Sequence, residues 1–128
     1  MRVKEGDFLK KRALRFFENA KYLFQQEIYD LAAFNLHQAV ELYIKHKLFL
    51  LLGDYPRTHS IKKLLREVGK ASGKLEAIEK FVEEHIDRIS NLENAYITSR
   101  YIPGEFIKKE VENMIKLVSD IFKLVDSL

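Results

Sequence analysis

Residues 30–52 read Asp30-Leu31-Ala32-Ala33-Phe34-Asn35-Leu36-His37-Gln38-Ala39-Val40-Glu41-Leu42-Tyr43-Ile44-Lys45-His46-Lys47-Leu48-Phe49-Leu50-Leu51-Leu52. Wound as a helix, this stretch is apolar on nearly every side, which a helix tolerates only at the centre of a bundle or against a partner. No proline or glycine interrupts it until Gly53-Asp54-Tyr55-Pro56, where both end it. This helix is therefore expected either at the centre of the bundle or shared with a partner.

The flanking segments carry one-sided stripes that such a helix would collect. Upstream, Leu9, Ala13, Phe16, Ala20 and Leu23 step by four and three, with Phe17 and Phe24 widening the stripe, and predict a long first helix. Downstream, Ser60 offers an N-cap for a short helix carrying Ile61, Leu64, Leu65 and Val68, closed by Gly69 and Gly73. A fourth helix is expected from Leu75 through Ile78, Val82, His85, Ile89 and Leu92 to Tyr96. A fifth runs from Ile107 through Val111, Met114, Val118 and Ile121 to Leu128, with Pro103 and Glu105 suited to the first turn of that last helix. No alternating strand pattern competes. The expectation is an all-α, up-and-down bundle of four long helices and one short helix, forming a single domain over residues 1–128.

Length and composition agree with one domain. A chain of 128 residues buries about two-thirds of its unfolded surface. There is no cysteine, and Met1-Arg2-Val3-Lys4-Glu5-Gly6-Asp7 lacks the apolar segment of a secretory signal, so a cytoplasmic protein is expected. The longest apolar run, Leu48 to Leu52, is far short of the roughly 20 residues that span a bilayer, and no membrane partner is expected. The net charge of +3 is uneven: residues 1–74 hold 15 Lys and Arg against 8 Asp and Glu, and residues 75–128 hold 7 against 11. That division suits partners of either sign, or self-association; it is equally the pattern of an unevenly charged solvated surface. The apolar excess on the second helix, with Phe34, Tyr43 and Phe49 pointing several ways, predicts a homodimer.

Chemistry is confined to three polar clusters. In the second helix His37, Glu41 and Lys45 recur at every fourth position and share one face. They are either an ordinary ion pair on a wet face, worth about 0.2–0.5 kcal/mol, or the edge of a groove. Thr58-His59-Ser60 lies between Pro56 and the short helix, where His59 either caps a carbonyl or, beside Arg57, faces an anion. Ser99-Arg100-Tyr101-Ile102-Pro103 separates the last two long helices. Pro103 forces Ile102 out of helical geometry, so Arg100 stands between two helix ends, where it either caps the carbonyls of one or joins the amides of the next in an anion site. Tyr96 and Tyr101 are placed to stack on a base or on the guanidinium. Neither cysteine pairs nor phosphate loops nor metal-spaced histidines occur, no glutamate lies three residues before a histidine as a di-iron bundle requires, and no metal or cofactor is expected.

Taken in order, Glu41 with Lys45, Thr58 with His59, and Ser99-Arg100-Tyr101-Ile102-Pro103, together with the segment Asp30 to Val40, resemble the HEPN domain (higher eukaryotes and prokaryotes nucleotide-binding) from about residue 8 to the end. The resemblance implies a helical domain that associates with a nucleotide or RNA, usually as a homodimer, and often beside a minimal nucleotidyltransferase in a toxin–antitoxin pair. It implies a nucleotide- or phosphate-binding set of Glu41, Lys45, His59, Ser99, Arg100 and Tyr101. Many members are metal-independent ribonucleases with an Arg-x(4–6)-His motif, but here Glu105, Phe106 and Ile107 stand where that histidine belongs. Three expectations remain open: a non-catalytic nucleotide- or RNA-phosphate-binding module; a ribonuclease toxin with a rearranged site using His59 and Arg100; and a non-catalytic protein-interaction subunit.

Overall fold

The computed structural model describes residues 2–102 and 106–128, the side chains of residues 2–5 excepted. Six helices account for most of them: α1 (Arg2–Gln25), α2 (Tyr29–Leu52), α3 (Ile61–Ser72), α4 (Leu75–Glu84), α5 (Ile86–Tyr101) and α6 (Lys108–Asp126). No strand occurs among the described residues. The apolar helix lies at the centre, since α2 packs against α1, α3, α5 and α6. Alanines make the closest seam possible: Ala13 and Ala20 of α1 and Ala32, Ala33 and Ala39 of α2 are all fully buried. On the far side, Tyr43 of α2 stacks on Phe122 of α6 at 4.0 Å and donates its hydroxyl to Asp126 at 2.6 Å.

The ends of the elements follow local chemistry. Gly53 closes α2 in the left-handed conformation, at φ 76°, with its amide on the Phe49 carbonyl. Ser60 caps α3 as its type suggests, its hydroxyl accepting from Lys63 N at 3.2 Å. Gly73 ends α3 at φ 74°, whereas Gly69 lies within the helix and serves a different purpose. It lets α4 approach: a Cβ there would fall 3.0 Å from Ile78 Cγ1 and 3.1 Å from Leu75 Cα.

The structure corrects the expected helix count at one place and the first turn of the last helix at another. The long fourth helix is broken at His85, which leaves helical geometry at φ −121°, ψ 23° and separates α4 from α5. Its ring lies on Phe81 at 4.2 Å with Nδ1 2.9 Å from the Phe81 carbonyl, so the side chain shares an acceptor that the helix ladder also uses. Steps of three and four cannot reveal this, because one residue out of register leaves both halves amphipathic. The break has a structural consequence: α4 lies along α3, whereas α5 turns back along α2. The last helix begins at Lys108 and not near Pro103, with Ile107 extended and its amide donating to Glu110 Oε1 at 3.2 Å. Pro103 and Glu105, expected in its first turn, lie outside the described residues.

Much of the apolar excess of α2 is absorbed within the chain. Leu48 and Phe49 are buried, as is Tyr43, and Phe34 is half-buried. What stays outside is Leu31 near the start of the helix and its far end, with Leu50 62% and Leu52 60% exposed. No helix among the described residues is long and apolar enough to cross a membrane.

The tight α3–α4 contact carries a prediction. Gly69→Val should lower stability by about 1–3 kcal/mol through overpacking against Ile78 and the Leu75 backbone, despite valine's better helix propensity. Urea unfolding should show a lower midpoint at unchanged slope.

Candidate functional site

The polar line of α2 is not on a wet face. Glu41 is 3% and Lys45 6% exposed, and Lys45 Nζ donates to Glu41 Oε2 at 2.8 Å. Burying both charges costs several kcal/mol of hydration, which the pair recovers only with good geometry and further hydrogen bonds. The further bond comes from His59, whose Nδ1 lies 3.0 and 3.1 Å from the two Glu41 oxygens. A carboxylate accepts, so Nδ1 is the donor and the other ring nitrogen, Nε2, is turned away from Glu41. The His59 side chain is 55% exposed, so the carboxylate anchors an imidazole that reaches the surface.

His37, one turn before Glu41, holds the same loop by its main chain. It is fully buried, and its Nε2 donates to the His59 carbonyl at 2.9 Å. Burial pushes its pKa below the ordinary histidine value, against the opposing pull of Glu41, so the ring stays neutral and its single N–H is committed to that carbonyl. Thr58 and Ser60 complete the turn. The Thr58 hydroxyl accepts from Ser60 N at 3.2 Å, and Ser60 Oγ donates to Glu93 of α5 at 3.0 Å while it caps α3.

The third cluster meets the second on one aromatic ring. Tyr96 of α5 stacks on the His59 imidazole, centroids 4.5 Å apart and planes 20° from parallel. The Arg100 guanidinium also lies 4.5 Å from the Tyr96 centroid, with Phe34 and Tyr101 at 5.6 and 5.3 Å. Arg100 Nε donates to the Tyr96 carbonyl at 2.8 Å. One part of the guanidinium therefore caps its own helix and the Nη groups remain as a fork for an acceptor. Of the two alternatives read from the sequence, the contact with a carbonyl of its own helix is the one that Nε makes.

The six residues named from the sequence are thus distributed over two layers. His59, Arg100 and Tyr101 are exposed at the surface, Tyr101 by 69%. Glu41 and Lys45 lie beneath the imidazole. Ser99 is buried and its hydroxyl turns back to the Ala95 carbonyl, away from the surface. Two contributors were less legible. Phe34 reads as part of the apolar excess that predicts a homodimer, yet it lies beside both Tyr96 and Arg100. Glu93 gave no signal except its spacing, three residues before Tyr96 on α5. Among the described residues no group of His, Cys, Asp and Glu is placed to hold a metal ion.

The chain is thus an all-helical bundle in which a carboxylate-anchored histidine and an arginine meet on one aromatic ring. The sequence matches the HEPN domain over residues 7–128, nearly the whole chain, and the protein belongs to that family. No curated protein matches the chain.

The buried pair makes a sharp prediction. Glu41→Ala leaves the Lys45 ammonium buried without its partner and releases His59, and should cost about 3–5 kcal/mol. Combining it with Lys45→Met removes the stranded charge and should recover most of that loss, measured by urea denaturation of the two variants side by side.

Proposed function

We propose that this HEPN protein binds the phosphate of a nucleotide or of RNA on the face formed by Arg100, Tyr96 and His59. The observation that supports it most is the meeting of His59 and Arg100 on one Tyr96 ring, each 4.5 Å from its centroid. The aromatic surround strips water from the guanidinium while leaving its Nη fork outward, and Tyr101 offers a ring for a base to stack on. In this reading Glu41 and Lys45 act through His59, which they position, and Ser99 acts only on the end of α5. A homodimer and pairing with a minimal nucleotidyltransferase belong to the same proposal. Self-association is supported by the exposed Ile97, Tyr101 and Ile102 beside Arg100.

The test is ligand-dependent stability. ATP or tripolyphosphate at about a hundredfold its Kd should add about 2.7 kcal/mol and raise Tm, and Arg100→Ala should remove most of the gain. An equal rise in wild type and variant would place the ligand elsewhere.

A second reading, a ribonuclease with a rearranged site, draws support from one feature. With Nδ1 donating to Glu41, His59 has its Nε2 turned away from that carboxylate, and the histidine missing after Arg100 would have its substitute on the turn before α3. We expect no robust cleavage of a mixed RNA pool in EDTA. Metal-free cleavage lost in both His59→Ala and Arg100→Ala would overturn that expectation and establish His59 as the catalytic imidazole.

A further inference from the structure

The turn that holds His59 also borders a groove of about 700 Å³ on its other side, between α3 and α4. Thr58 and Ser60, the two neighbours of His59 in the chain, form its near end, so the groove begins where the phosphate face stops. Its floor is apolar, formed by Ile78 and Val82 of α4 and Ile86 at the start of α5. The two rims differ in sign. On α3 stand Lys62, Lys63 and Arg66, and on α4 stand Glu79 and Glu83.

Each feature restricts the occupant. Lys62 is held in place by Ser90 at 2.9 Å and Glu93 at 3.7 Å. Lys63 and Arg66 are exposed and make no ion pair among the described residues, so their charge is available to a ligand. Lys62 and Arg66 are one helical turn apart, about 6 Å along the axis, a step that the successive phosphates of an extended strand can follow. The glutamates repel phosphate from the opposite rim and accept hydrogen bonds from amino groups, which bases carry and phosphates do not. A flat apolar floor between such rims suits a base stacked against aliphatic side chains.

We infer that the α3–α4 groove is a second subsite for single-stranded RNA, which takes the strand onward from the phosphate held at Arg100 and His59. The backbone lies along Lys62, Lys63 and Arg66, and a base rests over Val82 with its amino edge toward Glu79 and Glu83. The ligand class is then an oligonucleotide and not a mononucleotide. This inference rests on the phosphate-binding reading given above, and the two fail in different ways.

The experiment compares a fluorescently labelled, mixed-sequence RNA octamer, followed by anisotropy in EDTA, with ATP followed by thermal shift. Wild type should bind the octamer at least about tenfold more tightly than ATP. Lys63→Glu combined with Arg66→Glu should weaken octamer binding about tenfold or more and flatten the slope of log affinity against log salt by about 1.4, as expected for two lost phosphate contacts. The ATP-induced shift should be unchanged. Val82→Trp, which fills the groove without altering charge, should weaken the octamer alone, and circular dichroism checks that both variants remain folded. Unaltered octamer affinity in the double-charge variant, with loss in Arg100→Ala, would overturn the groove, leave the phosphate face standing, and direct the groove to a protein helix. Octamer binding lost with the α3 charges but kept in Arg100→Ala would retain the groove as an RNA surface and remove the Arg100 face. A wild type that binds neither probe would overturn both.

Discussion

The Glu41 carboxylate is the constraint on which the site depends. It is buried in the central helix, and a buried carboxylate must find partners for its lone pairs or lose several kcal/mol of hydration. Lys45 supplies one from the same helix, 2.8 Å away. The other comes from His59, so one stabilising requirement of the core draws a surface loop into a fixed position. His37 secures the same residue by its carbonyl. Helix α2 thus holds His59 at both main chain and side chain, which fixes the position of the imidazole presented to solvent.

Aromatic contact extends that order to the other side of the site. Arg100 sits at the last turn of α5 with its side chain exposed. Its Nε bond to Tyr96 and its position over the Tyr96 ring give it one geometry. Since the same ring also carries the imidazole, the separation of the two cationic or polar groups is set by a tyrosine and not by a direct bond between them. The arrangement keeps both groups from neutralising each other through a shared carboxylate and leaves each able to meet an acceptor.

The fold was largely legible from the sequence because helices were signalled by features that act locally. Ser60 and Gly53 behave as their types dictate, and the all-round apolar character of α2 left it either the centre of the bundle or a partner, of which the centre is observed. His85 was not legible. Its side chain competes for the Phe81 carbonyl within a pattern that stays amphipathic on both sides, and pattern alone carries no record of where a ladder is interrupted. The start of α6 was misplaced for a related reason: proline permits a first turn without requiring one, and Ile107 with Glu110 provides the cap further on. Within the site, the line His37, Glu41, Lys45 was visible, but not its burial, since an i,i+4 acid–base pair reads the same on a wet face as in a core. Phe34 escaped because an aromatic on an apolar helix carries no mark of the neighbour it meets.

The break at His85 also decides how the α3–α4 wall is held. Helix α4 has one fully buried side chain, Ile78, and packs chiefly on α3, whereas α5 is anchored along α2 by Ile89, Leu92 and Ala95. Had the helix run on unbroken, α4 would have been rigidly coupled to the α2 core. Instead Ile78 is set against the bare backbone of Gly69, and Phe81 and Val82 are partly buried against the core. The imidazole on one side of the α3 turn is therefore tied directly to the central helix, while the wall on the other side is tied to it chiefly through α3.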